Sequence, residues 1–143
     1  MKKQFNTLKR LILSSTRQLH QLFLFLYCAL VFWVSHQPSV PVPHLLPHFD
    51  KLIHAATYCV MGYLAWVCFS HYSTRPFYRT LFFCMLFGAT DEWHQSFIIG
   101  RLADPYDWAA DIFGATNAAL YLRLQKNTEK PPKPLAINNS KQL

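Results

Sequence analysis

The chain has 143 residues, the length of one domain, and is 52% hydrophobic, 16% aromatic and only 15% charged. Its mean hydropathy of +0.08 averages two polar, basic ends with an apolar middle. The stretches 19–34, 52–70, 77–90 and 108–124 are apolar all round. A soluble domain of this size would need amphipathic faces with regular charges, so a soluble reading is excluded and the chain reads as a small polytopic membrane protein.

The net charge of +7 does not point to nucleic acid, because of where it lies. Lys2, Lys3, Lys9, Arg10 and Arg17 precede the first apolar stretch, Arg75 and Arg79 lie in the second connection, and Arg123, Lys126, Lys130, Lys133 and Lys141 follow the last stretch. Only Lys51 and Arg101 fall in the first and third connections. With four spans, all the others share one side, and the positive-inside rule makes that side cytoplasmic with both termini inside. The acids are biased the other way: Asp50, Asp91, Glu92, Asp104, Asp107 and Asp111 fall at or near the outer face, and only Glu129 falls inside.

In chain order, residues 1–18 form a basic cytoplasmic segment expected on the anionic leaflet. No small-x-small cleavage site follows the first apolar run, so it is taken as a retained helix, 19–34, with Trp33 in the outer aromatic belt. An outer loop over 35–49 carries Pro38, Pro41, Pro43 and Pro47, which favour an extended path. Its histidines, His36, His44 and His48, read as solvated side chains. The second helix opens at Asp50-Lys51 and runs to Ser70. Asp50, His54 and Tyr58 recur every four residues on one face, which Gly62 continues. Asp50 is equally suited to capping the helix N-terminus.

A short inner turn leads to Pro76, placed for the first turn of the third helix. The apolar run 80–90 has eleven residues and rises only about 17 Å as helix against a hydrocarbon core of roughly 30 Å. A spanning third helix must therefore reach Gln95 and carry Asp91 and Glu92 near the outer membrane face, where ionisable groups are a functional-site hypothesis by default. Residues 96–106 form the second outer loop, with Gly100-Arg101 and Asp104-Pro105 as turn signals. The fourth helix starts near Asp107. Its face Asp107, Asp111, Gly114 and Ala118 is acidic outside and small-residued deeper, and Gly114 with Ala118 permits close helix approach. Residues 19–124 thus form an all-α bundle of four transmembrane helices, and 125–143 a basic tail expected to be disordered. Cys28, Cys59, Cys68 and Cys84 all fall within spans and read as small apolar fillers.

Depth links the polar groups. His54, Asp91 and Asp111 each lie four residues in from Asp50, Gln95 and Asp107, which at about 1.5 Å per residue is about 6 Å below the outer boundary. Helices of opposite direction place ionisable groups at one level, with Lys51 and Arg101 just above. The competing reading is helix packing alone, but a typical interhelical polar contact contributes only about 0.6 kcal/mol, a weak return for so many charges. Asp107 suits a cap, Glu92 the headgroups, and His94, Trp93, Tyr106 and Trp108 the interface.

The ordered set Ser35, Asp50-Lys51-x-x-His54-x-x-x-Tyr58, Asp91-Glu92-x-His94-Gln95, Gly100-Arg101 and Asp107-x-x-x-Asp111-x-x-Gly114 resembles the VanZ-like membrane protein family over roughly residues 20–122. Two positions depart, since the family often has Asn where this chain has Asp111 and Gly where it has Ala118. The resemblance implies a shared fold, topology and outer-face site. The family is named for an accessory protein linked to teicoplanin resistance, a role that the resemblance does not transfer.

The site residues expected from the sequence are Asp50, Lys51, His54, Tyr58, Asp91, Glu92, Gln95, Arg101, Asp107 and Asp111. The favoured function is non-enzymatic: an outer-leaflet pocket of a multi-pass cytoplasmic-membrane protein binding a polar or phosphorylated lipid head, with Lys51 and Arg101 attracting phosphate. The partners expected are the bilayer, a lipid-linked envelope precursor or other envelope proteins, with no nucleic acid. The alternative is a hydrolase or transferase acting on a lipid-linked envelope substrate, with His54, Asp91 and Glu92 as catalytic candidates, or with His54 joining Asp91, Glu92 and Asp111 around a divalent metal. Spacing alone defines no metal geometry, so neither a metal nor another cofactor is assigned. No nucleophile pattern is present, Ser35 and Ser96 being loop serines.

Overall fold

A computed structural model describes residues 2–38 and 48–128. Among them there are four helices and no strand: α1 (Lys2–Ser35), α2 (Phe49–Ser70), α3 (Pro76–Gln95) and α4 (Pro105–Thr128). The path through Pro41, His44, Pro43 and Pro47, and the tail from residue 129 on, lie outside the described residues. Helix α1 begins at Lys2 and not near Leu19, because nothing from Lys2 to Ser35 is Pro or Gly and the basic residues are good helix formers. The basic segment and the first apolar run are therefore one unbroken helix.

The other boundaries follow local chemistry. Residue His48 precedes α2 in the left-handed region at φ 61 and makes no side-chain cap bond. Asp50 sits in the first turn, and its carboxylate accepts from Lys51 Nζ at 3.0 Å. Pro76 occupies the first turn of α3. At α4 the cap is Asp104, whose Oδ1 accepts the Tyr106 backbone N–H at 2.8 Å, with Pro105 following at the position where a missing N–H costs nothing. The Asp104-Pro105 pair, expected as a turn, is thus a helix start.

Helices α2 and α4 form the most intimate pair. A Cβ on Gly62 would lie 2.9 Å from the Ala115 Cα, and one on Gly114 would lie 3.0 Å from the Ala55 Cα, so only hydrogen at these two positions lets the backbones meet. Around this seam Tyr58, Met61, Ala65, Cys84, Ala115 and Ala119 are buried. Helix α1 buries Leu24 and Val31 but leaves Phe25, Trp33 and much else of its apolar surface exposed. Polar clips fasten it to the bundle: His20 Nδ1 to His71 Nε2 at 2.8 Å, the Tyr27 hydroxyl donating to the Thr57 carbonyl at 2.9 Å, and His36 Nδ1 to His94 Nε2 at 3.1 Å. His94, expected at the interface only, also stacks on Phe32 at 4.5 Å. The described cysteines are all free, with Cys68 and Cys84 buried.

By length and composition, two segments are long and apolar enough to cross a membrane, Ile12–Ser35 within α1 and α2 itself. The expected four-span bundle is matched in helix number and connection, while α3 and α4 fall short on hydropathy. Their helices carry Arg79, Asp91 and Glu92, and Asp107, Asp111, Arg123 and Lys126. Both nevertheless expose large apolar side chains, Phe82 and Leu86 on α3 and Phe113 and Leu124 on α4.

Candidate functional site

At the end of the bundle where α1 and α3 finish and α2 and α4 begin, two polar networks lie side by side. The first joins α1 to α3. Asp91 and Gln95 are one helical turn apart on α3, so both face the same neighbour. The Ser35 hydroxyl donates to Asp91 Oδ2 at 2.9 Å, and Gln95 Nε2 donates to the same oxygen at 3.1 Å. Ser35, Asp91 and Gln95 are all at least 95% buried. Arg101 covers them from the α3–α4 connection. Its Nη1 donates to Gln95 Oε1 at 3.1 Å, its Nε to the Gln37 carbonyl at 3.1 Å, and its Nη2 to the Val34 carbonyl at 3.5 Å. Ser35 is thus the last residue of a helix and not on a loop, held by a carboxylate. Its position after an apolar run was the available signal.

The second network joins α2, α3 and α4. His54 Nδ1 donates to Asp111 Oδ1 at 2.9 Å, across the α2–α4 seam. Lys51 Nζ reaches Asp50, Asp104 and Asp107, the last at 2.6 Å. The hydrogen bond that Lys51 donates to Asp104 holds the Asp104 carboxyl below its usual range. Glu92 Oε2 accepts the Asp104 backbone N–H at 2.9 Å, which ties α3 to the cap of α4. Lys51, expected to attract phosphate, is therefore engaged by three carboxylates, whereas among the described residues Arg101 has no carboxylate within ion-pair distance. Asp104, read only as a turn residue, belongs to this network. No pattern in its sequence neighbourhood distinguishes a cap that also binds a lysine from a cap alone.

The expected residues therefore converge, but in two groups. His54 and Asp111 are in direct contact, while Asp91 belongs to the neighbouring network. Tyr58 lies one turn deeper than His54, 1% exposed, and only Asp50 stands at the exposed edge. Several polar atoms remain without a partner inside the protein: Asp91 Oδ1, Glu92 Oε1, Asp111 Oδ2 and the Tyr58 hydroxyl are buried and unpaired. Leaving such an atom unpaired costs about 1–3 kcal/mol. Asp91 and Tyr58 line the concavity described next, and Glu92 and Asp111 lie in the second network.

A concavity of about 230 Å³ opens between α1, α2 and α3. One wall is apolar, from Leu30, Val31, Val34 and Ile53, and the end is polar, from Ser35, His54, Asp91, Gln95 and Arg101. Beside it, ligand atoms of His54, Glu92 and Asp107 lie within 4.8 Å of one another, close enough for a metal ion. This trio differs from the four residues expected, His54, Asp91, Glu92 and Asp111, because Asp91 is held by Ser35 and Gln95, and Asp111 takes His54 Nδ1.

A family model described as VanZ/LLP1 matches residues 3–125, which run through all four helices. No curated protein and no solved structure matches the chain.

Proposed function

The chain belongs to the VanZ/LLP1 family, and on that footing we propose that it is a multi-pass protein of the cytoplasmic membrane that holds the polar head of an envelope amphiphile in its outer-face cavity. The observation that carries this reading is the cavity's two-part lining: aliphatic side chains of α1 and α2 along one wall, and Ser35, His54, Asp91, Gln95 and Arg101 at the end. At about 230 Å³ it is smaller than the roughly 300–1,000 Å³ usual for whole small-molecule ligands, which suits a headgroup whose chains stay in the lipid. Arg101 supplies a planar cation whose present partners are a neutral amide and two carbonyls, so an anionic group can displace them at little cost. Asp91 Oδ1, buried and unpaired, calls for a donor on the same ligand. A head carrying both a phosphate and a hydroxyl or ammonium satisfies the pair.

The topology that places this cavity outward has both termini in the cytosol, and it is supported by the lysine and arginine distribution and by the exposed apolar surface on all four helices. The Ser35 hydroxyl is hydrogen-bonded to Asp91 and the His54 Nδ1–H to Asp111, so no serine–histidine pair speaks for the hydrolase alternative. The test is retention of lipid by the full-length protein purified in a mild detergent, read by native mass spectrometry and by analysis of the extracted lipids. Arg101→Ala and Asp91→Asn should each release most of a bound phospholipid at unchanged protein yield. Equal lipid in the wild type and both variants overturns the reading.

A further inference from the structure

We propose that His54, Glu92 and Asp107 form a binding site for a divalent transition-metal ion where α2, α3 and α4 meet. Their ligand atoms all lie within 4.8 Å of one another, and His54 Nε2 stands 3.9 Å from Asp107 Oδ2. Metal–ligand bonds of about 2.1 Å put neighbouring donors of a tetrahedral site about 3.4 Å apart, so modest side-chain adjustment closes the triangle.

The surrounding bonds leave these atoms available. Asp111 takes the Nδ1–H of His54, which turns the Nε2 lone pair toward Asp107. A carboxylate fixing the far nitrogen in this way is the usual support of a metal-binding imidazole. Lys51 Nζ lies 2.6 Å from Asp107 Oδ1 and His54 Nε2 lies 3.9 Å from Oδ2, so the ammonium and the imidazole address different oxygens. Glu92 is 7% exposed, one of its oxygens accepts the Asp104 N–H, and the other, Oε1, is buried with no partner inside the protein. A buried carboxylate oxygen beside an oriented imidazole is costly until a cation meets it. The charge balance runs the same way: Asp50, Asp104 and Asp107 meet Lys51, while Glu92 bonds the Asp104 N–H and Asp111 bonds His54, so among the described residues one lysine serves a group of five carboxylates.

One imidazole and two carboxylates are a mixed nitrogen and oxygen set of the kind that takes zinc or manganese, and three protein ligands leave a coordination position open. The site shares His54 with the headgroup cavity but does not depend on a lipid being bound there.

The full-length protein in detergent, stripped with a chelator and dialysed, is titrated with Zn²⁺ by calorimetry and with Co²⁺ by visible absorption. One tight ion per chain is expected in the wild type. Glu92→Gln and Asp107→Asn should weaken it at least about tenfold, and Asp111→Asn, which leaves all three ligands in place, by about 10–100-fold. His94→Ala, which removes the His36–His94 contact, should leave the affinity unchanged. Absence of binding to the wild type overturns the proposal whatever the variants do. So does unaltered affinity in Glu92→Gln, or loss of the ion in His94→Ala. Thermal melts of each variant identify any that fails to fold, and the wild-type titration then decides alone.

Discussion

Replacing Gly114 with alanine tests the α2–α4 seam on which both networks depend. The new Cβ would sit 2.8 Å from the Ala55 carbonyl carbon and closer still to its oxygen, whereas ordinary contact begins at 3.4 Å. The obstacle is backbone, so no rotamer change relieves it, and because the oxygen is the nearer atom the helices must part by about 1 Å or more. Overpacking of this kind costs about 1–3 kcal/mol, and the backbone origin of the clash puts Gly114→Ala at the upper end, about 3 kcal/mol. For a domain of this size that is a fall of about 6–12 °C in Tm, at about 2–4 °C per kcal/mol. Gly88→Ala is the control. Its Cβ would lie 3.1 Å from Asp111 Oδ2 and 3.1 Å from a Trp108 ring atom, both on side chains that can yield. Differential scanning fluorimetry of both variants in one detergent reads the difference. Equal Tm values for Gly114→Ala and the wild type refute the argument that backbone contact holds the seam.

Other outcomes follow from the same contacts. Ser35→Ala leaves Asp91 with Gln95 alone and should lower stability by about 1–3 kcal/mol, measured by denaturant or thermal unfolding in detergent. Lys51→Met leaves Asp104 and Asp107 without their cation and should destabilise more than Arg101→Met, whose partners are neutral; a reversed order of Tm contradicts the ion-pair assignment. Because the Asp104 carboxyl is held below its ordinary value of 3.8, its pairing with Lys51 stabilises the fold above that pH and is lost as the pH falls through the lowered value. Tm measured from pH 6 to pH 3 should drop less steeply at the acid end in Asp104→Asn. In a background with the four native cysteines changed to alanine, Asp104→Cys in intact cells should react with a thiol reagent that cannot cross the membrane, and protection from it contradicts the outward topology.

The helices and their connection were legible because apolar runs, prolines and turn residues punctuate the chain strongly. The clustering of the polar side chains was legible in part, because period-four spacing puts His54 with Tyr58 and Asp107 with Asp111 whatever the tertiary packing. What spacing does not contain is the pairing across helices. Asp91 meets Ser35 and not His54 because the end of α1 brings the Ser35 hydroxyl against α3, a placement no spacing within one helix encodes. The extension of α1 to Lys2 was missed for a related reason. A change from apolar to basic composition looks like a boundary, but it breaks no backbone hydrogen bond.

The 34 residues of that unbroken first helix measure about 51 Å end to end, well beyond the roughly 30 Å of acyl interior. In the proposed topology a charged stalk of some 20 Å stands in the cytosol on the same rod whose far tip is Ser35. The basic end and the Ser35–Asp91 hydrogen bond thus lie at opposite ends of one continuous helix, with no loop between them.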